Sequence, residues 1–478
     1  MQRHLLMATA AAAVVALGQQ AWAQSAADIA VEAAQQYAGT EITIVWEAGL
    51  QSLDPLNYSV PKWRELTGMD VRVIEVPTAE MFTKILQEHR AGTGAYDALN
   101  VIPSWMPDLA RAGALEPLDA YVDQYGYRDE LQTIAPVYRD NQMTVGDVIY
   151  GFPDDGDVFV LYYRSDVLGD PEIQAAFAEA HGYDLPMPPT NWEEYLDVTC
   201  FITEHTGGAP YGAGSFRDPT YTQFLFQERY RTLGGRFFDP DTMEAQINNE
   251  YGVAAFEGML AENACMPPGV EAWGFVENLA AFLQGNTAMT ISWPPYGRWA
   301  AGYGEDEEAF SWVPRSQVAG KVGYAMTPGG NPQLAAGFSL AVSASSTKKE
   351  AAYLFIQWLN SEEISLERVK LPYTLRDPFR DNHFTDEDYK ELWPEAPQYL
   401  EALEAGAQNG LLDLSLLQTD RYEEALRQAT SRVWAGEPVQ AVLDDIAAQW
   451  DATTQRVGID AQREAYLDWS SKPNAYPN

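Results

Sequence analysis

The stretch Gly146–Leu168, GDVIYGFPDDGDVFVLYYRSDVL, decides the fold, because it places an acidic turn between two short apolar runs. The runs Val148–Phe152 and Val158–Tyr163 are rich in β-branched and aromatic residues, which predicts a strand for each. Pro153 and Gly156 mark the break between them. An acidic loop between strands that cross from one lobe to another would line a cleft, and the alternative is a solvated surface turn.

Upstream of this stretch, strand patterns alternate with helix patterns. Glu41–Trp46, Val71–Val76 and Tyr96–Ile102 are predicted strands, and Ala79–Arg90 is a predicted helix between two of them. This order is typical of βαβ units, so we expect an α/β fold built on mainly parallel sheets. Further along, Thr190 and Glu193 form a capping-box pattern that predicts the start of a helix.

The N-terminus has the pattern of a secretory signal peptide. Leu5 to Leu17 is an apolar run, and Ala21-Trp22-Ala23 supplies small residues around a cleavage site before Gln24. We therefore expect residues 1–23 to be removed near Ala23 and the mature chain to reside in the periplasm.

The chain has two cysteines, Cys200 and Cys265. An even number of cysteines in an exported protein favours a disulfide, and the alternative is two buried free thiols.

The formal net charge of −39 limits the classes of ligand and partner that the chain is expected to bind. A field of this sign repels nucleic acid and anionic membrane surfaces. It also weighs against strongly anionic ligands, although a local basic pocket could override it. Neutral polar ligands and cations remain open.

The familiar motifs of catalysis and cofactor binding are missing from the sequence. His89, His181, His205 and His383 are scattered without metal-ligand spacing, and there is no GxSxG elbow, P-loop or GxGxxG. We expect no cofactor and no metal site, and we do not expect an enzyme. A hydrolase that uses a pair of carboxylates stays open as an alternative, because the sequence contains many acidic residues.

Six segments in one order resemble the family 1 extracellular solute-binding proteins of bacterial ABC importers, the maltose-type sugar-binding group. The segments are NVIPSWMPDLARAGALEPLD at 100–119, YGFPDDGDVFVLYYRSDVL at 150–168, PTNWEEY at 189–195, FLQGNTAMTISWPPYGRW at 282–299, AAGFSLAVSASSTKKEAAYLFIQWLNS at 335–361 and WAGEPVQAVLDDIAAQW at 434–450. Together they span nearly the whole mature chain.

The resemblance implies a two-lobed clamshell, in which each lobe is a mainly parallel sheet flanked by helices and the ligand is held between the lobes. It places residues 24–153 and 336–372 in lobe one, and residues 154–335 and 373–478 in lobe two. The chain would cross between the lobes near 151–157, 317–336 and 369–376. The implied function is the periplasmic substrate-binding component of an ABC importer, a monomer whose partners are the ligand and the membrane-embedded permease subunits.

The resemblance also implies a binding site for a neutral carbohydrate or polyol. Aromatic rings cover the apolar face of a sugar, while carboxylates and guanidinium groups bond its hydroxyls. The spacing of Trp105 and Asp108 resembles the W-x-x-D motif of the maltose-type proteins, and a disulfide between Cys200 and Cys265 would lie in lobe two. The expected ligand-binding residues are Trp46, Glu47, Trp105, Asp108, Asp155, Asp157, Trp293, Tyr296, Gly337, Phe338, Tyr373 and Arg376.

Two other functions stay open at the level of the sequence. One is the binding of a polyamine or another cation, caged by Asp154, Asp155, Asp157 and aromatic rings. The other, less favoured, is a periplasmic glycoside hydrolase.

Overall fold

The computed structural model describes residues 24–477, so the predicted signal peptide at 1–23 lies outside the described residues. The strands are β1 Glu41–Glu47, β2 Asp70–Val76, β3 Ala98–Val101, β4 Thr144–Val145, β5 Val148–Ile149, β6 Gly151–Asp155, β7 Val160–Arg164, β8 Tyr211–Gly214, β9 Thr287–Ser292, β10 Val322–Ala325 and β11 Phe338–Val342.

The α-helices fill most of the chain between and after these strands. They are α1 Ala26–Ala34, α2 Val60–Thr67, α3 Thr78–Ala91, α4 Met106–Arg111, α5 Asp119–Gln124, α6 Pro136–Gln142, α7 Ser165–Leu168, α8 Pro171–His181, α9 Trp192–Thr206, α10 Pro219–Thr232, α11 Glu250–Asn263, α12 Phe275–Leu283, α13 Pro295–Ala300, α14 Lys349–Asn360, α15 Glu362–Lys370, α16 Asp381–Thr385, α17 Glu387–Lys390, α18 Ala396–Asn409, α19 Thr419–Trp434, α20 Val439–Val457 and α21 Ile459–Ser471.

The first sheet has the strand order β2-β1-β3-β11-β6. Strands β1, β2 and β3 run parallel because helices connect them as βαβ units. Strand β11 runs antiparallel to both of its neighbours, β3 and β6. The carboxyl end of β1, at Trp46 and Glu47, therefore lies at the edge of the sheet where α/β proteins bind their ligands.

The second sheet has the strand order β10-β7-β9-β8. Only β8 and β9 pair in parallel, while β7 pairs antiparallel with both β9 and β10. Both sheets are thus mixed, which corrects the expectation of mainly parallel sheets. The physical reason is that strands such as β11 enter a sheet directly from the other sheet, without the crossover helix that makes neighbouring strands parallel.

The chain passes between the two sheets where the sequence predicts crossings. Strand β6 belongs to the first sheet and β7 to the second, so residues 156–159 connect them. Strand β10 belongs to the second sheet and β11 to the first, so residues 326–337 make a second connection. The expected lobe boundaries stay a prediction.

The helices that cover the sheets are anchored by aromatic packing. Trp63 of α2 lies 5.5 Å from Phe355 and 5.2 Å from Trp358 of α14, measured between ring centroids. All three rings are buried, since α14 is covered by the first sheet on one face and by α1 on another. In the described part of the chain, no helix is both long enough and apolar enough to span a bilayer.

The disulfide between Cys200 and Cys265 is confirmed. Cys200 lies within α9, Cys265 lies just after α11, and their Cα atoms are 4.9 Å apart. The bond ties α9 to the segment just after α11, and the two cysteines are 65 residues apart in sequence.

Candidate functional site

An aromatic group surrounds Trp293, the residue that directly follows strand β9. The ring of Trp293 stacks on Phe216 at 4.9 Å and meets Phe159 at 5.1 Å and Tyr221 at 5.5 Å. Its indole N–H donates to the carbonyl of Ala335 at 2.9 Å. Trp293 retains 8% exposure, and Tyr221 beside it is half-buried. This aromatic group is therefore fixed by packing yet reaches the solvent-accessible boundary of the second sheet.

Glu47 brings a negative charge toward this aromatic group from the first sheet. Its carboxylate ends strand β1, is half-buried and accepts a hydrogen bond from the Thr78 hydroxyl. Burial raises the pKa of Glu47, while the Thr78 hydrogen bond and the charge of Arg376 oppose the rise. Burial also raises the pKa of Tyr221 to about 12, and the negative charge of Glu47 contributes to that rise. The Tyr221 hydroxyl is thus within reach of the Glu47 charge, which acts after burial and the charge of Asp218.

Unpaired polar atoms lie on the same edge of the first sheet. Within residues 24–477, the indole nitrogen of Trp46 and Oε1 of Gln51 are buried and have no hydrogen-bond partner. The Trp46 ring lies under the Arg376 guanidinium, 5.3 Å from ring centroid to Cζ. Gln51 Nε2 donates to Asp155 at 3.3 Å. A buried polar atom without a partner costs about 1–3 kcal/mol, which a bound hydroxyl would relieve.

Behind this edge lies a buried network of charges. Arg376 pairs with Asp154 at 2.9 Å and with Asp155 at 3.5 Å, and Arg368 pairs with Asp154 at 2.8 Å. Arg368 also donates to Asp54, so the two guanidinium groups share their carboxylate partners. All of these side chains are buried, and the network joins β6 to the segment that follows α15.

Three carboxylates crowd together beside this network. Oxygens of Asp155, Asp157 and Asp377 lie within 4.8 Å of one another, which makes them the set of described residues that could share one cation. Burial raises the pKa of Asp155 to about 6, and the charge of Asp154 adds to that rise. Burial also raises the pKa values of Asp157 and Asp377 well above the usual range, with the charge of Asp155 adding to both. The cluster therefore retains protons well above the pH at which an exposed aspartate ionises.

The carboxylate cluster also holds the second connection between the sheets. The backbone N–H of Gly337 donates to Asp157 at 2.9 Å. Gly337 has a φ of +66°, and a Cβ there would lie 2.4 Å from Nε2 of Gln142. The positive φ favours glycine at this position, and any larger residue would require the Gln142 amide to shift. Phe338, the next residue, is buried in strand β11.

Other predicted site residues have contacts elsewhere. Tyr296 is fully buried, and its hydroxyl donates to the Phe275 carbonyl. Tyr373 is half-buried on the segment after α15. Trp105 packs against Phe82 at 5.7 Å in the core of the first sheet.

Asp108 contacts the start of helix α19. Its carboxylate accepts the backbone N–H of Gln418 at 2.6 Å, and burial raises its pKa to about 6. The role of each predicted ligand-binding residue stays a prediction.

Several residues at the site were not anticipated from the sequence. Phe216 and Tyr221 come soon after strand β8, so the rule that led to Trp46 and Trp293, an aromatic ring beyond a strand's carboxyl end, would have found them. Asp54 and Asp377 carry no local signal, because their partners are distant in sequence.

The sequence profile of the bacterial extracellular solute-binding protein family matches residues 47–365. A probable amino-acid ABC transporter periplasmic-binding protein of Sinorhizobium fredii is 23% identical over 363 residues, 74% of this chain and 76% of the relative. An erythritol/L-threitol-binding protein of Mycolicibacterium smegmatis is 23% identical over 380 residues, 74% of this chain and 72% of the relative. A crystal structure of an ABC transporter solute-binding protein from Agrobacterium radiobacter, in complex with ribitol, has a TM-score of 0.71 at 23% identity, covering 87% of this chain and 99% of that chain.

Because the family profile covers more than half of the chain, the chain belongs to the bacterial extracellular solute-binding proteins. This confirms the resemblance read from the sequence, and the structural match confirms the two-lobed α/β fold class. The family and the relatives named above are solute-binding proteins and not enzymes.

Proposed function

We propose that this chain binds a neutral polyol or carbohydrate between its two lobes and delivers it to an ABC importer. The observation that carries the proposal is the aromatic group around Trp293 on the second sheet, together with the Glu47 carboxylate at the end of β1 on the first, whose charge acts on Tyr221 of that group. A ligand between them would meet a hydrogen-bonding carboxylate on one side and flat rings on the other.

The residue chemistry favours hydroxyl-rich ligands without charge. Glu47 accepts hydrogen bonds from hydroxyls, and each bond to a charged group contributes about 1.5–3 kcal/mol. A hydroxyl both donates and accepts, so it suits the unpaired Gln51 oxygen and the unpaired Trp46 N–H alike. Trp293 and Tyr221 offer apolar area to the C–H face of the carbon chain. Relatives named for erythritol, L-threitol and ribitol support acyclic polyols as the first class to test.

Under this proposal the export, partners and lobe organisation follow the family. The signal peptide at 1–23 is cleaved near Ala23, and the mature protein works in the periplasm as a monomer that docks on membrane-embedded permease subunits. The lobes comprise residues 24–153 with 336–372, and residues 154–335 with 373–478. Ligand closes the lobes because it makes contacts with both that the open state lacks.

A ligand panel tests the proposal. Erythritol, ribitol, mannitol and maltose are compared with putrescine, spermidine and a set of amino acids, by thermal shift and then by calorimetry. We expect a polyol or sugar to stabilise the protein by about 2.7 kcal/mol at a hundredfold excess over Kd. Stabilisation by putrescine or spermidine alone would select the cationic alternative. Stabilisation by an amino acid alone would assign the cleft to the ligand class for which the Sinorhizobium relative is named.

The cationic alternative makes a different demand on the acidic residues. Asp154 and Asp155 already face Arg376, and Asp157 already accepts the Gly337 N–H. A polyamine would have to compete with these contacts, whereas a polyol need not enter the buried network. This favours the neutral ligand.

A further inference from the structure

A cavity lies away from the aromatic group. It has a volume of about 860 Å³ and lies between α3 and α4 on one side and α19 and α20 on the other. Neither Glu47 nor Trp293 lines it. Its volume is within the range of roughly 300–1,000 Å³ that is typical of small-molecule sites. We call it the arginine groove, after the side chains Arg90, Arg111, Arg421 and Arg456 that line it.

The arginines of the groove have no ion-pair partner in the described chain. Among residues 24–477, no carboxylate lies within salt-bridge distance of Arg90, Arg111, Arg421 or Arg456, and none of their guanidinium groups donates a hydrogen bond within the chain. In a chain of net charge −39, guanidinium groups are outnumbered by carboxylates, and most of the other arginines are ion-paired. Four guanidinium groups without ion pairs therefore surround one cavity in a molecule whose net charge is strongly negative.

The carboxylates of the groove are, in contrast, already engaged. Asp108 accepts the Gln418 N–H at 2.6 Å. Asp420 lies 3.3 Å from Arg427 and Glu424 lies 2.9 Å from it. The negative charges in the lining are thus satisfied by partners of their own, and the hydrogen-bonding capacity that remains is that of the arginines.

We propose that the arginine groove binds a small oxyanionic molecule, one that carries carboxylate or phosphate groups. A guanidinium group presents a rigid fork of N–H donors that matches a carboxylate or phosphate in two parallel hydrogen bonds. Arg90 and Arg111 belong to helices α3 and α4, while Arg421 and Arg456 belong to α19 and α20. An anion of two or more charged groups can therefore bridge the two sides of the groove. The groove shares no residue with the Glu47 and Trp293 site, but its two sides belong to the two predicted lobes, so its width changes when the lobes move.

The test is binding of inorganic phosphate and of citrate to the whole mature protein, by calorimetry at a constant ionic strength of about 0.15 M. Ionic strength is held with sodium chloride, because salt alone weakens the self-repulsion of so acidic a chain and raises its melting temperature. The two probes distinguish a phosphate ligand from a carboxylate ligand, since phosphate is a single tetrahedral anion and citrate offers several carboxylates. We expect saturable binding of at least one of them.

The variants Arg111→Gln and Arg421→Gln take one guanidinium from each side of the groove. Each is expected to weaken binding by about tenfold or more, the scale set by one lost charge-assisted hydrogen bond. Arg236→Gln is the matched control: Arg236 is also exposed and without an ion pair, but it stacks on Tyr476 outside the groove. Equal affinity in all three variants, or no saturable binding of either probe, would overturn the proposal. Polyol binding is measured on the same samples, so that failure of the groove and failure of the polyol cleft are told apart.

Discussion

At the scale of single residues, Glu47 is the side chain on which the polyol proposal depends most. Glu47→Gln keeps the shape and removes the charge, so hydrogen bonds to ligand hydroxyls lose their charge assistance. We expect polyol affinity to fall about tenfold, since one such bond contributes about 1.5–3 kcal/mol. Calorimetry with the ligand selected by the panel measures it.

Glu41→Gln is the matched control for this substitution. Glu41 begins the strand that Glu47 ends, is exposed, and lies at the opposite edge of the sheet. The same affinity in Glu47→Gln as in Glu41→Gln would mean that Glu47 does not contact the ligand.

Asp377 is the residue at which pH and stability are most directly linked. Its pKa is raised by burial first and then by the Asp155 charge. A raised pKa means that the folded state binds its proton more tightly than the unfolded state does. The stability from this group is therefore present below the unfolded pKa, near 4, and is lost as the pH rises from there.

Asp377→Asn should remove that loss. We expect the variant to gain about 1–3 kcal/mol on the wild type between pH 4 and pH 8, because an amide carries no charge to desolvate or to repel Asp155, while the Arg298 ion pair at 3.3 Å offsets only part of that cost in the wild type. The advantage should shrink toward pH 4. Urea unfolding at both pH values measures it, with Asp184→Asn as the control because Asp184 is exposed. An equal gain in the two variants, or a gain that does not depend on pH, would count against the linkage.

At the scale of elements, the disulfide joins α9 to the end of α11. Cys200→Ser with Cys265→Ser removes a crosslink across 65 residues and should lower the free energy of unfolding by about 4 kcal/mol in the chain-entropy model. Chemical denaturation without reductant measures the loss. Reduced wild type should match the double variant, and a wild type whose stability is unchanged by reductant would contradict the expectation.

The elements also show which local signals could be read from the sequence. Strands β1 and β2 were predicted to within one residue at each end, because each is a short run of β-branched and apolar residues with a clear end. The start of α9 was displaced: Asn191 caps the helix through the Glu194 N–H, while Thr190 is held by the Glu194 side chain. Asparagine and threonine are both good caps, and the spacing alone did not decide between neighbours.

Relations between distant elements could not be read locally. The antiparallel direction of β11, and the pairing of Arg368 with Asp54 and Asp154, depend on which segments the tertiary fold brings together. The order of the six segments that resemble the solute-binding family was enough to predict the fold class. The ends of the predicted strands were enough to predict part of the candidate site. The buried charges and the arginine groove became visible only once the helices and crossings were in place.

At the scale of the whole molecule, contacts join the parts predicted to be separate lobes. Asp108 accepts the Gln418 N–H, and the Ser415 hydroxyl lies 3.4 Å from the Ser104 carbonyl that it faces. These bonds exist only while helix α4 and the start of helix α19 are close. They therefore stabilise a closed arrangement relative to an open one. Contacts between the ligand and both lobes would add to that stabilisation.

Asp108→Ala should therefore shift the free protein toward the open state and weaken the polyol, although Asp108 does not contact the aromatic group. Loss of a hydrogen bond to a charged group corresponds to about tenfold in the closing equilibrium and, through it, to a similar loss of apparent affinity. Small-angle scattering should give a larger radius of gyration for the free variant than for the free wild type. Saturating polyol should make the radii of gyration of variant and wild type equal, because the ligand favours the closed state of both proteins. A radius that is unchanged by both the substitution and the ligand would show that the lobes are held closed by other contacts.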